Sequence, residues 1–355
     1  MSKYLSEKFA GFKAYVPGEQ PQDRSYIKLN TNESPFPPSP GVLNALNLAE
    51  ASRLNLYPDP DARAAGAAIS ANFGLKLENI ILGNGSDELL AFSFQAFCDR
   101  ANPPVFADIT YGFYEVYARI NFVAPKIIPL NPSFQLDAPD YFGAGGTVFV
   151  ANPNSPTGCA VPLRDIEDIL KNNPDNAVVV DEAYAAFGAE SAVPLIPRYD
   201  NLVVIHTMSK SKNLAGARLG YALANAALIA DLNTMKFSFN PYNVGRLSMA
   251  AAVAAMKDAD FYAGCVSAVI RTREYTAAEL ARRGFFVLPS SANFIFAKPG
   301  FTDGREYYLG LKEKGVLVRH FAQERIKDFV RITIGGEDQM RALLAATDEL
   351  MNERV

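Results

Sequence analysis

Between residues 60 and 225, short β-branched and apolar runs alternate with stretches of helical hydrophobic spacing, and this alternation narrows the possible folds more than any other feature of the chain. A strand that is followed by a helix and then by another strand returns to its sheet most simply in parallel, with the helix covering one face. The runs 80–82, 104–107, 126–129, 147–151, 177–181, 202–207 and 219–222 are the strand candidates, which predicts a large, mostly parallel α/β sheet. A helix over 248–256 and a charged helix over 266–283 then lead into a different pattern. Strand candidates at 285–288, 293–297, 316–319 and 330–334, with a helix over 305–314, describe a smaller α+β unit. The expected division is a large domain over 40–264 and a small one built from 1–39 and 265–355. The proline-rich opening segment to about Ser39 has no periodicity of its own, and no internal repeat is visible.

In doubly wound sheets ligands collect at the carboxyl ends of the strands, and three of these strands end in residues that carry chemistry. The first is Lys210, in the run Thr207-Met208-Ser209-Lys210-Ser211-Lys212-Asn213-Leu214-Ala215-Gly216-Ala217-Arg218. An amine that condenses with an aldehyde cofactor needs a rigid strand end to aim it, and Thr207, Ser209 and Arg218 have the groups that hold a phosphate. A strand followed by a basic surface loop reads equally well from this run alone. The second is Val178-Val179-Val180-Asp181-Glu182-Ala183-Tyr184, which delivers a carboxylate at a strand end and a phenol three residues later. A fixed carboxylate keeps a pyridine nitrogen protonated by raising its pKa, while the plainer alternative is an N-cap for a helix starting at Glu182. The third, Ile80-Ile81-Leu82-Gly83-Asn84-Gly85-Ser86-Asp87-Glu88, turns through two glycines into a helix with Ser86 or Asp87 as its expected N-cap. Backbone amides at such a turn face an anion. Its spacing fits neither GxGxxG nor a Walker lysine.

In order and spacing these three segments resemble a fold-type I pyridoxal-phosphate-dependent aminotransferase of class I/II, in the histidinol-phosphate aminotransferase group. Further segments carry the same resemblance: Lys28-Leu29-Asn30-Thr31-Asn32-Glu33-Ser34-Pro35, Leu56-Tyr57-Pro58-Asp59-Pro60, Thr110-Tyr111-Gly112, Asn152-Pro153-Asn154-Ser155-Pro156-Thr157-Gly158 and Arg331-Ile332-Thr333-Ile334-Gly335. Together they run from about residue 10 to about residue 340. The resemblance implies the PLP-dependent transferase fold, the cofactor pyridoxal 5'-phosphate (PLP), and a Schiff base at Lys210. It implies Asp181 beside the pyridine nitrogen, Tyr184 donating to the ring oxygen and Tyr111 flat against the ring. Phosphate would be held by backbone around Ser86 and Asp87, by Thr207, Ser209 and Arg218, and by Tyr57 from a second subunit. Arg331 would clamp a substrate carboxylate, with Arg319, Tyr15 and Asn32 completing the substrate site. One departure stands out: the family has asparagine directly before Pro-Thr-Gly, where this chain has Ser155, with Asn154 one place earlier. Asn154 is the expected contact to the ring oxygen, and Ser155 the alternative.

The implied reaction moves an amino group from an amino donor, foremost histidinol phosphate, to 2-oxoglutarate by ping-pong kinetics, which places the chain in histidine biosynthesis. Lys210 would serve as nucleophile and then as proton shuttle, and so its pKa should fall well below the free value of about 10.4. Aromatic amino acids as donors, a PLP-dependent decarboxylase of a phosphorylated amino acid, and a non-catalytic anion binder are the competing readings. The partners expected are a small-molecule amino donor and a 2-oxo acid. With a formal charge of -4 and no basic cluster, nucleic acid is not an expected partner. Two histidines, His206 and His320, leave no material for a His-built metal site; the first is expected to pack under the cofactor loop and the second to lie at the substrate entrance. Cys98, Cys159 and Cys265 lack a CxxC pattern and read as reduced thiols of a cytoplasmic protein. No apolar run approaches a membrane span, and the first residues form no signal core. Tyr57 lies far from Lys210 along the chain, on a proline-rich loop, and reaches a phosphate most economically from the other copy of a two-fold homodimer.

Overall fold

The computed structural model describes residues 2–9, 11–12 and 14–353. Its described residues form three sheets, of which the largest has seven strands in the order Ile80–Gly83, Gly220–Ala224, Leu202–Thr207, Val178–Asp181, Thr147–Ala151, Pro104–Ala107 and Lys126–Ile128. All the predicted strands of the large unit are present. Both faces of this sheet are covered, as the near-continuous apolar runs require. Val148, Val150, Val178, Val180, Leu202 and Val204 face one core, while Phe149, Val179, Val203 and Ile205 face a second with Phe94 and Tyr114. The alternation is the period of two of an extended chain. Phe94 stacks on Phe149 with ring centroids 4.1 Å apart, which fixes the helix Gly85–Phe97 over the sheet.

One strand departs from the parallel expectation. Gly220–Ala224 runs antiparallel to both of its neighbours, Ile80–Gly83 and Leu202–Thr207. The connection from Thr207 to Gly220 contains only a short 3-10 turn, Ala215–Ala217, and no crossover helix. Without a crossover a chain returns beside its own strand antiparallel. The same close return carries the Lys210 loop back across the strand ends.

The second unit is a four-stranded antiparallel sheet ordered Arg319–His320, Val330–Thr333, Phe294–Lys298 and Phe286–Val287. The expected single strand over 316–319 divides in two. Val316–Leu317 pairs in parallel with Ile27–Lys28, and Arg319–His320 joins the antiparallel sheet. The predicted helices appear as Arg246–Lys257, Ala259–Arg282 and Gly304–Glu313. A sixteen-residue helix, Glu337–Asn352, lies outside the sequence expectation. Its signals were Gly336 before two acids and buried Met340, Leu343, Leu344 and Thr347 at helical spacing. The N-terminal segment joins the two small sheets, because Leu29 accepts from Thr333 N at 2.9 Å and donates to Leu317 O at 2.8 Å.

The turn after Ile80–Gly83 also differs from expectation. The helix starts at Gly85, with Asn84 at the N-cap position and no side-chain cap; Ser86 and Asp87 lie inside the first turn. Gly85 takes a φ of 78°, which few other residues tolerate. Gly220 passes so close that a Cβ there would meet Gly85 C and Ser86 N at 2.5 Å. We expect Gly220→Ala to force this turn off the sheet and to cost about 1–3 kcal/mol, read as a lower urea midpoint at unchanged slope. An unaltered midpoint would show that the close approach carries no constraint.

Candidate active site

The carboxyl ends of the parallel strands open into a cavity of roughly 560 Å³ that is walled by both units and by the N-terminal segment. Lys210 projects into it just beyond Leu202–Thr207. Its Nζ donates to Thr31 O at 3.2 Å and stands 5.8 Å from the centre of the Tyr184 ring. Burial, reinforced by the positive charge of Arg331, pulls the Lys210 amine down to about 8, against the opposing pull of Glu33 and Asp87. This agrees with the direction expected for a lysine that must spend time neutral.

Asp181 ends the fully buried strand Val178–Asp181 and is itself only 6% exposed. Burial raises its carboxyl to about 7, although Ala183 N–H at 3.1 Å and the Tyr114 hydroxyl at 3.3 Å stabilise the charged form. The N-cap alternative survives only as that single bond to Ala183; no α-helix follows, and the next element is the 3-10 turn Ala185–Phe187. Among the described residues no cationic side chain forms an ion pair with Asp181. Tyr114 was not anticipated. Its signal was its place with Tyr117, three residues apart on the buried face of the amphipathic helix Phe113–Ile120 that follows Tyr111.

Around these two groups the other predicted residues assemble. Tyr111 lines the cavity and donates to Asp87 Oδ1 at 2.6 Å. Arg218, in the left-handed region at φ 50°, lies 3.5 Å from Asp87 Oδ2 and against Gly85. Ser86 lies beside them in the lining, and the hydroxyls of Thr207 and Ser209 meet at 3.0 Å in the same lining. Together they leave an arc of hydroxyls, first-turn amides and one guanidinium facing a common space, the composition of an oxyanion cradle.

On the other side Arg331 spans the two units. Its Nη1 donates to Ser155 Oγ and its Nη2 to Asn30 O, both at 3.1 Å, while its buried Nε has no partner among the described residues. An unpaired guanidinium N–H in a closed site favours an incoming carboxylate or phosphate. Asn32 donates through Nδ2 to the Tyr184 hydroxyl at 2.9 Å. Tyr15 lies over Phe113 at 4.1 Å and lines the cavity. Arg319 lines the cavity too, but its guanidinium holds the carbonyls of Val16 and Pro17 at 3.1 Å and so anchors the segment that carries Tyr15.

Two expectations need correction. Asn154 is buried away from the cavity, where its Nδ2 donates to Ile109 O and Thr157 Oγ1 at 3.0 Å, and Ser155 takes the cavity-facing position. The stretch is a turn closed by Gly158 N–H on Asn154 O, and the Asn154 amide is used inside it while the next side chain faces the cavity. His320 is not at the entrance: its Nε2 lies 2.7 Å from Lys327 O, and its ring packs on Tyr308. Tyr57 is 78% exposed, outside this cavity, stacked on Tyr242 at 4.5 Å. His206 does pack beneath the loop, on Tyr221 at 5.1 Å with Glu182 3.2 Å away, and burial drives it to about 4 and hence neutral. The three cysteines are free and buried. No described helix is long and apolar enough to cross a membrane.

Comparison with known proteins agrees with this geometry. The family described as aminotransferase class I and II matches residues 24–346. Histidinol-phosphate aminotransferase from Marinomonas sp. (strain MWYL1) is 47% identical, covering 99% of this chain and 100% of that protein. Among solved structures, histidinol-phosphate aminotransferase from Sinorhizobium meliloti in complex with pyridoxal-5'-phosphate superposes with a TM-score of 0.89 at 24% identity, over 100% of this chain and 99% of that one. L-threonine-O-3-phosphate decarboxylase from Porphyromonas gingivalis superposes with a TM-score of 0.79 at 22% identity, over 92% and 99%. At these identities the superpositions speak for the fold alone.

The depressed amine gives a direct test. Trapping of an aromatic aldehyde at Lys210 by borohydride, followed by peptide mass spectrometry, should rise with pH about a midpoint near 8, whereas exposed lysines continue to gain up to about 10.4. A Lys210 profile that parallels the exposed lysines would contradict the buried geometry.

Proposed function

The chain belongs to the class I and II aminotransferases, and on that premise we propose that it transfers an amino group from histidinol phosphate to 2-oxoglutarate with PLP bound at Lys210. The observation that carries this reading is the meeting of a depressed lysine amine and a buried, cation-less carboxylate in one cavity. The residues fit the cofactor. A protonated pyridine nitrogen would supply Asp181 with the positive partner it lacks, and the cradle of Ser86, Thr207, Ser209 and Arg218 suits a phosphate at the other end. When bound, PLP supplies an aldehyde for amines and a pyridine ring that withdraws electrons from the substrate α-carbon.

The protein's own part is capture, orientation and proton transfer. Lys210, neutral in a substantial fraction near pH 8, would hold the aldehyde and, as a free amine, would take a proton from the substrate α-carbon and return it. Asp181 would be kept ionised by a cationic ring nitrogen, with Tyr114 and Ala183 N–H holding the carboxylate in direction. Tyr184 would offer its phenol to the ring oxygen, and Ser155 rather than Asn154 lines the cavity. Arg331 binds the carboxylate of the oxo acid or the phosphate of the amino donor, assisted by Arg319 and Tyr15.

Residues 40–264 make up the cofactor-binding unit in this reading, and 1–39 with 265–355 the smaller one, supported by the separate core around Leu29, Ile295, Val330 and Leu343. The working form is a cytoplasmic homodimer in which Tyr57 of each copy completes the phosphate site of the other. The exposure of Tyr57 together with Leu54, Leu56 and Phe239 supports it. The decarboxylase reading has the fold likeness on its side, and it differs in releasing carbon dioxide without needing an oxo acid.

We expect Lys210→Ala to lose the borohydride-sensitive visible band and to lower kcat by about 10²–10⁴-fold or more. Specificity constants for histidinol phosphate, phenylalanine, tyrosine and aspartate, each with 2-oxoglutarate, should rank histidinol phosphate first; a wide lead for the aromatic amino acids would replace the proposed donor. Tyr57→Phe should weaken PLP retention on dialysis, and full retention would count against a shared phosphate site.

A further inference from the structure

We propose that Thr333, on the central strand of the small sheet, is a positioning residue that sets the direction in which Tyr184 donates its hydroxyl hydrogen; this rests on the reading of PLP at Lys210. Hydrogen accounting carries the argument. The backbone N–H of Asn32 donates to Thr333 Oγ1 at 2.9 Å, and Thr333 Oγ1 lies 3.0 Å from Asn32 Oδ1. Thr333 and Asn32 are 2% and 1% exposed, and so water does not complete these bonds. The threonine hydroxyl has one hydrogen, and the amide oxygen is where it goes.

That contact decides which way the Asn32 amide faces. With Oδ1 turned to Thr333, Nδ2 faces Tyr184 Oη at 2.9 Å. An amide nitrogen has no acceptor capacity, and so the phenol oxygen accepts. The hydrogen of Tyr184 is then left for the cavity, where no other described residue bonds to it. The opposite amide orientation would point Oδ1 at Tyr184 and draw that hydrogen back to Asn32. It would also leave the Thr333 hydroxyl hydrogen buried without an acceptor, a penalty that native interiors avoid.

The backbone around the pair leaves little room for adjustment. Asn32 has a φ of 57°, a left-handed conformation that asparagine tolerates. Its carbonyl accepts from Asn293 Nδ2 at 3.0 Å, and Thr333 N–H is fixed to Leu29 O at 2.9 Å. Thr333 is paired with Phe294 across the sheet, and the Phe294 ring meets the Tyr184 ring edge-on at 5.0 Å. The small sheet thereby sets the polarity of a phenol whose backbone belongs to the large one.

The test is a pH titration of the visible absorbance of the PLP-loaded protein. A donor to the ring oxygen stabilises that oxygen most when the neighbouring imine proton has left, and so it lowers the pH at which the band changes. Thr333→Val keeps the shape and removes the hydroxyl; the midpoint should move up by about half to one pH unit. Thr333→Ser should titrate with the wild type, and Thr333→Ala replaces the valine variant if that one does not fold. In a Tyr184→Phe background Thr333→Val should add nothing, because the hydrogen it directs is gone. A valine variant that titrates with the wild type, or a shift that adds in full to that of Tyr184→Phe, overturns the proposal. A wild-type protein that gains no visible band with PLP overturns the cofactor reading beneath it.

Discussion

Two unlike ionisable groups, the buried Asp181 and the partly buried Lys210, are withdrawn from water at the same edge of one sheet, and much of the molecule is arranged so that this is possible. Burial pushes each toward its neutral form, the acid to about 7 and the amine to about 8. Both are strained in the electrostatic sense, and a ligand with a cationic ring nitrogen at one end and an aldehyde at the other relieves both. Such burial needs a sheet covered on its two faces, because a strand end exposed on either side would let water restore the ordinary values. The two cores behind Val178–Asp181 and Leu202–Thr207 provide that cover.

The third wall of the site comes from a segment that is irregular apart from the short strand Ile27–Lys28. Residues 15–33 are pinned wherever they pass the cavity: Arg319 holds Val16 and Pro17, Arg331 holds Asn30, Lys210 donates to Thr31, and Thr333 and Asn293 hold Asn32. Most of these donors are side chains from the small unit, while the groups they position face the cofactor cradle of the large one. A loop with unpaired carbonyls would ordinarily be hydrated; here the carbonyls accept from charged and amide groups, and the loop becomes part of the site.

Much of the site was legible from strand ends. Gly83, Asp181 and Lys210 follow apolar runs at positions where a parallel sheet delivers side chains to one edge, and the structure brings all of these segments to one cavity. What was not legible were orientations that depend on a neighbour from elsewhere in the chain. Asn154 satisfies its amide on Ile109 and Thr157, and Ser155 turns to Arg331. Arg319 is occupied by the N-terminal carbonyls, and His320 by Lys327 O. Tyr114 reaches Asp181 from a helix 67 positions earlier.

The sequence by itself determined the strand and helix alternation, the residues at the strand ends and the family, because these rest on local periodicity and on short motifs read along the chain. The antiparallel return of Gly220–Ala224, the split at Val318 and the direction of the Asn32 amide were decided only in three dimensions. Each of them is settled by which partner a hydrogen-bonding group finds after burial, and that partner lies tens or hundreds of residues away.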